Sequence, residues 1–311
     1  MPSPLLSILI VNWNTGDLLE ACLASLREHA EPHPQIVVVD NASTDDSVDR
    51  VRTRFPEVQV ITLDRNVGFS RGNNAGLPGL TGAYVLLLNP DTEVRPGALE
   101  NTLAFLDRHP EVGIAGPTLL NPDGSFQPSA GPFPSVGVEF LRQTMLWKIV
   151  PNRAQRRALR NEAWRPDQVS GAALFIRRKC LERIGPLDEN LFMFYEDTDW
   201  CRRARNAGWE VAFVPGPGIV HLQGAASTGP ARVRTLLASQ RSAALYFRKH
   251  HGVVARAAFR GVTFLGASIR LSRAGAEWLI GWRRADRAAR MRAYVRILLW
   301  SLGLDTLEVR E

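Results

Sequence analysis

The sequence predicts an α/β fold, a mostly parallel central sheet with helices on both faces, followed by a C-terminal amphipathic helical segment. Three observations carry this. Short apolar runs alternate with segments of helical period through the first half of the chain. Polar clusters follow the runs after Trp13, Asp40 and Leu88, so the strand ends should gather at one edge. After about Gly224 the chain turns rich in arginine interleaved with aromatic and aliphatic residues.

Ser7–Trp13 (SILIVNW) reads as a buried first strand ending at Asn12, and Leu18, Leu19, Cys22, Leu23 and Leu26 follow at helical spacing. Gln35–Asp40 (QIVVVD) is a second strand. It opens into turn and cap residues before a helix holding Val48, Val51 and Phe55. Val58–Leu63 is a third strand, followed by the glycine-containing run Asn66–Gly76. Tyr84–Val94 (YVLLLNPDTEV) is the pivotal stretch. Its apolar run is a buried strand that Pro90 must end, because proline cannot donate to a ladder. Period-two geometry puts Asn89 and Asp91 on the same side at the carboxyl end. Ala98–Leu106 reads as a helix and Val112–Ala115 as a fifth strand. Pro117–Pro134 reads as a long surface loop and Arg153–Arg165 as a basic helix or mobile segment. Val169–Arg177 sets the small turn Ser170-Gly171-Ala172 against a strand. Glu196-Asp197-Thr198-Asp199 starts a helix, Glu210–Val214 is a strand, and His221 lies in a polar loop.

Chemistry-bearing residues cluster at the expected edge. Asp91 can hold a divalent cation, and a cation can hold a diphosphate; the competing reading of Asn-Pro-Asp is a turn. Asp40 can accept the imide N–H of uracil or thymine, or cap the next turn. Asn12 ends the strand beside it. Arg71 can pair with phosphate oxygens and Asn66 with base or ribose. The glycines around Arg71 point to a closely approached backbone. They match neither a dinucleotide fingerprint nor a Walker loop. Three acids in four residues at Glu196–Asp199 exceed what capping a helix requires, so one can serve as a general base. His221 can complete a site begun by Asp91.

The 311 residues suffice for one large domain with an appendage or for two modest domains. A net charge of +7 and a pI of about 9.9 suit anionic partners. The three cysteines are scattered and lack paired spacing, which argues against a disulfide framework or zinc site and fits a reducing compartment. Leu5–Val11 is short for a signal core, and no uncharged apolar stretch reaches the length of a membrane span. Between Val253 and Trp300 there are ten arginines, two acids and no lysine. Phe259, Val262, Phe264, Leu265, Trp278, Leu279, Trp282, Tyr294, Leu298 and Trp300 are interleaved among them. This reads as helices with a basic rim and aromatic anchors, suited to an anionic membrane surface more than to nucleic acid, for which no motif is present.

The blocks SILIVNWN, VVVDNASTDDS, NVGFSRGNNAG, LLLNPDT, SGAALFIRR and FMFYEDTDWCRRARNAGW occur in order between Ser7 and Trp209. In these blocks the chain resembles the family 2 inverting glycosyltransferases of the GT-A fold, in their bacterial rhamnosyltransferase-like branch. The resemblance implies a catalytic domain over 1–223, with a nucleotide-binding half to about 117 and an acceptor half over about 118–223. Residues 224–311 form the basic helical region. It implies that Asn12, Asp40, Asn66, Arg71 and Asp91 bind the nucleotide-sugar and that Ser170, Gly171 and Ala172 form the acceptor loop. It further implies that Asp91 and His221 hold Mg²⁺ or Mn²⁺, and that Asp197 is the general base with Glu196 as the alternative. Asn89 stands where many family members carry a further aspartate. The implied reaction moves a sugar such as rhamnose from a dTDP- or UDP-sugar to a glycan or polyprenyl-diphosphate-linked acceptor. The enzyme would be cytoplasmic, peripheral at the inner face of the cell membrane. A sugar nucleotidyltransferase and a non-catalytic nucleotide-sugar-binding module are the competing readings.

Overall fold

Leu6–Asn12 (β1) is buried along its whole length, as expected of seven residues with apolar side chains on both faces. Leu6, Ile8 and Ile10 enter one core. There they meet Leu19, Leu23 and Leu26 of the helix Gly16–His29 and Leu99, Leu103 and Leu106 of the helix Ala98–Arg108. Leu9 and Val11 enter a second core with Leu181 of the helix Arg178–Ile184 and Trp200, Cys201 and Ala204 of the helix Glu196–Asn206. Each fully buried aliphatic side chain contributes about 1.5–3 kcal/mol, so covering both faces is what holds the sheet. The computed structural model describes residues 5–31, 33–146, 161–222, 230–279 and 284–307. Most of the basic stretch Arg153–Arg165, and Trp282, lie outside them.

The remaining strands are Gln35–Asp40 (β2), Gln59–Thr62 (β3), Tyr84–Leu88 (β4), Thr92–Val94 (β5), Val112–Leu120 (β6), Phe126–Gln127 (β7), Ala130–Gly131 (β8), Gln168–Val169 (β9), Ala173–Arg177 (β10) and Glu210–His221 (β11). The main sheet runs β3-β2-β1-β4-β10-β6-β11-β5, with β7 beside β6. The parallel arrangement read from the sequence holds across β3-β2-β1-β4 and again for β6-β11. β10 runs antiparallel between β4 and β6, and β5 antiparallel to β11, so the sheet is mixed.

Two segments read as loops are strand. Pro117 lies inside β6, which extends to Leu120 opposite Val214, Ile219 and Val220 of β11. Likewise Pro215–Gly218 is an irregularity within β11, so His221 closes a strand opposite Thr92. Pro215 and Pro217 sit in that irregularity without breaking the ladder, because there the missing N–H has no partner to lose. All three thiols are free and buried. Burial pushes Cys22 and Cys180 up to about 12.

The chain divides into two compact units. One is Met1–Phe133, Arg153–Phe192 and Glu196–Ala226; the other is Pro134–Asn152, Met193–Tyr195 and Ser227–Glu311. The second unit is helical. It contains Val136–Gln143, the long helix Pro230–Leu279 broken at Gly252, and Arg284–Ser301. Its core is built from Leu237, Tyr246, Phe247, Phe259, Ile297 and Trp300. The expected aromatic anchors therefore separate. Phe259 and Trp300 turn inward, with Arg260 lying 5.1 Å over the Trp300 ring and donating to the Trp300 carbonyl. Val253, Val254, Phe264, Leu265 and Trp278 stay exposed. Thr235–Trp278 is long and apolar enough to cross a membrane by length and composition, but the partly buried Arg256, Arg260 and Arg270 interrupt it.

Candidate active site

Register places the predicted residues at one sheet edge. Asn12 lies opposite Asp40, Ile10 opposite Leu88, and Leu88 opposite Ala173. The tips of β1, β2 and β4 and the entry to β10 are thus side by side. Asp40 is buried. One of its oxygens accepts from the Asn12 amide at 2.9 Å and the other from the Ser43 N–H at 3.0 Å. Asn12 is also buried, and its amide is further used by Ser43 and Thr15. Asn12 therefore positions Asp40. It has no exposed surface with which to touch a ligand.

The Asn89–Asp91 loop carries the next carboxylate. The Thr92 hydroxyl donates to the Asn89 carbonyl, and the Asp91 carbonyl accepts from Leu222 N–H at 2.9 Å. The buried Asp91 carboxylate lies 3.3 Å from His221 Nε2. Gln127 sets the imidazole. Its NH₂ donates to Asn121 Oδ1 and to the His221 carbonyl, which leaves Oε1 to face His221 Nδ1 at 2.7 Å. Nδ1 then carries a proton, and Nε2 is the nitrogen turned toward Asp91. A proton on Nε2 joins it to the carboxylate, and a divalent cation can take that proton's place. The donor set, one oxygen and one nitrogen backed by a carboxamide, therefore fits a divalent metal completed by oxygens of another molecule. Among the described residues there is no cluster of three such ligands. Gln127 escaped the sequence reading because it lies in a stretch taken for loop.

The acidic helix start resolves into three roles. Asp199 is fully buried and accepts from Arg203 at 2.8 Å, one turn on. Asp197 keeps a partly exposed edge. Its Oδ2 accepts from the Gly171 N–H at 2.8 Å and its Oδ1 from the Thr198 N–H at 2.6 Å. Burial raises its pKa above the usual aspartate value, against the pull of those hydrogen bonds. Glu196 is buried, and one of its oxygens has no partner among the described residues. Burial first, and the Asp197 charge second, hold its pKa well above the usual range. The helix is entered through Phe194 and Tyr195, both at positive φ (69° and 67°). Such backbone costs about 1–3 kcal/mol per residue and tends to persist where a side chain must be aimed.

The Ser170–Ala172 turn joins these groups. Gly171 holds Asp197, and the Ala172 carbonyl accepts from the Asn89 N–H at 2.9 Å. Two hydrogen bonds and one residue step thus connect the metal-fitting loop to the candidate base. Farther along the edge, Asn66 Oδ1 accepts from Asn41 and from Gly68 N–H. Arg71 is half-exposed and paired with Glu189 at 3.3 Å. The glycines near it are approached by the protein itself. A Cβ on Gly68 (φ +87°) would sit 2.5 Å from the Phe192 ring, and Gly72 and Gly76 press on Val11 and Leu9.

The family model described as glycosyl transferase family 2 matches residues 7–185. That span includes Asp40, Asp91 and the Ser170–Ala172 turn and stops short of Asp197 and His221. The N-acetylglucosaminyl-diphospho-decaprenol L-rhamnosyltransferase of Mycobacterium tuberculosis is 30% identical over 272 residues, covering 82% of this chain and 88% of its own. The dTDP-rhamnosyl transferase RfbF of Shigella flexneri is 26% identical over 252 residues, covering 78% and 79%. Among solved structures, a mannosyltransferase from Pyrobaculum calidifontis in complex with GDP-Man and Mn2+ has a TM-score of 0.59 at 17% identity. It covers 96% of this chain and 88% of that one, and shares the fold. A family match over more than half of the chain, with a relative at 30% identity along most of its length, makes this protein a member of glycosyl transferase family 2, a glycosyltransferase with a GT-A-like fold.

Proposed function

We propose that this glycosyltransferase moves a sugar, with inversion, from a pyrimidine nucleoside-diphosphate sugar to a hydroxyl of a glycan or polyprenyl-diphosphate-linked acceptor in cell-envelope polysaccharide synthesis. The observation that carries it is the turn tying Asp197 to the Asn89–Asp91 loop. A base and a diphosphate-side group must face one reacting carbon, and this turn holds the two together. The relatives' names, a dTDP-rhamnosyl transferase and an L-rhamnosyltransferase, favour dTDP-rhamnose as donor.

In this reading Asp40 accepts the imide N–H of the base with its remaining lone pairs, and Asn66 and Arg71 line the donor path. Asp91 and His221 would hold Mg²⁺ or Mn²⁺, which would supply positive charge against that of the leaving diphosphate. Asp197 takes the proton of the acceptor hydroxyl as that oxygen attacks the anomeric carbon from the face opposite the diphosphate. Burial and the Asp197 charge favour the protonated form of Glu196, which lessens repulsion between the neighbouring acids. The Ser170–Ala172 turn shapes the acceptor side. The helical unit places the enzyme at the inner face of the membrane through its exposed Val253, Val254, Phe264 and Leu265.

Asp197→Asn keeps the shape and removes the base. Turnover should fall about 10²–10⁴-fold with donor affinity unchanged. Steady-state kinetics with dTDP-rhamnose, alongside calorimetry of donor binding, test this; a variant retaining near wild-type turnover removes Asp197 from the role.

A further inference from the structure

The helical unit contains a cavity of about 170 Å³. None of the candidate active-site residues line it. Its wall carries two guanidiniums, Arg142 and Arg270, and one carboxylate, Glu139. Glu139 is already matched: its Oε1 accepts from Arg142 at 3.3 Å and from the Tyr195 hydroxyl at 3.2 Å. That leaves one positive charge in excess, on Arg270. Arg270 donates to the neutral Gln143 Oε1 at 2.5 Å and feels Glu139 only through space, without a direct ion pair among the described residues. One of its five N–H donors is thereby used.

Two further polar groups line the same wall without a partner among the described residues, Thr263 Oγ1 and Gln240 Oε1. Thr263 is 1% exposed, so bulk water does not satisfy its hydroxyl. Ser239 and Tyr294 add hydroxyls to the lining. The wall is also tightly built. A Cβ on Gly266 would fall 2.7 Å from Gln143 and 2.9 Å from Arg270, so the Gln143–Arg270 pair is seated where only glycine leaves room. Burial lowers the Arg270 pKa from its usual value, against the weaker opposing pull of Tyr294 and Glu139.

We propose that this cavity binds a phosphate or diphosphate group, with Arg270 as its counter-ion and Thr263 as a hydroxyl donor. The volume suits such a group and is small for a drug-sized organic molecule. A planar guanidinium beside hydroxyl donors is the arrangement that recognises phosphate oxygens. The same chemistry is offered by soluble phosphates and by phosphate-bearing lipid headgroups.

The test uses the full chain in EDTA, which silences metal-dependent binding at Asp91 and His221. Inorganic pyrophosphate is titrated by calorimetry, and vesicles of phosphatidylglycerol or of phosphatidylcholine are tested by co-sedimentation. Wild type should bind pyrophosphate or the phosphatidylglycerol vesicles. Arg270→Met should weaken that binding about tenfold or more, and Thr263→Val about fivefold. Thr263→Val removes a buried unpartnered hydroxyl and should fold at least as stably as wild type, so it answers if Arg270→Met fails to fold. Arg270-dependent binding to pyrophosphate alone assigns a soluble phosphate; Arg270-dependent binding to phosphatidylglycerol vesicles assigns a headgroup. Binding to neither probe overturns the proposal, as does binding that both variants leave unchanged.

Discussion

Glu196 and Asp197 are neighbours in sequence with different surroundings. Two N–H groups steady Asp197, whereas a Glu196 oxygen is buried without a partner among the described residues. The folded protein therefore holds the Glu196 proton more tightly than the unfolded chain does. The resulting stability is fully present below the unfolded value and is lost as pH rises through the folded one. Glu196→Gln should thus leave Tm nearly unchanged near pH 4.5 and raise it progressively toward neutral pH. Thermal melts across that range check the sign; a constant difference would mean burial is not the cause. At this scale much of the site was legible. Asp40, Asp91, Asp197 and His221 stand out as polar residues at the ends of apolar runs or in an acidic cluster, and the structure brings them to one edge. Illegible were the groups that act through a neighbour. Asn12 resembles a ligand contact in sequence and is a buried tie, and Gln127 carries no local signal because its partner is 94 residues away.

Among the elements, the local apolar pattern predicted where strands lie better than which way they run. Tyr84–Leu88 forms the strand its apolar run implies, and the helices around Leu19–Leu26 and Ala98–Leu106 form at their spacing. Direction and order are non-local. Nothing within Ala173–Arg177 says that it inserts antiparallel between β4 and β6. The glycine run before β4 shows the same limit: its need for space is visible in the sequence, and what fills the space is not. Gly68→Ala would press a methyl to 2.5 Å from the Phe192 ring and 2.6 Å from its carbonyl, at a φ of +87°. It should destabilise the protein by about 1–3 kcal/mol. Gly79→Ala, with nothing within 4 Å of the new carbon, serves as control. Urea denaturation decides, and equal midpoints for the two variants would refute the packing argument.

For the whole molecule, the composition change near Gly224 reads as the start of a helical region, and Pro230–Leu279 and Arg284–Ser301 are helical. It hid the recruitment of Pro134–Asn152 and Met193–Tyr195 into that unit. Short segments that pack on distant helices carry no compositional mark. Family membership disposes of the nucleotidyltransferase and non-catalytic alternatives. The outward face of the long helix makes the bilayer reading testable. Val254 is 85% exposed, and Val254→Glu exchanges an apolar contact for a charge. Association with anionic vesicles should weaken roughly tenfold, in line with losing one buried valine from the interface. Co-sedimentation measures it, and unchanged binding would remove this face from the contact.

The order of the sheet has a consequence for synthesis on the ribosome. β5, which follows Asp91 directly, pairs among the described residues only with β11, and Leu222 supplies the amide that pins the Asp91 carbonyl. A nascent chain can therefore assemble β1, β2 and β4 early. Asp91 lacks its His221 neighbour until residue 222 has cleared the exit tunnel, so this pair is among the last parts of the candidate site to form.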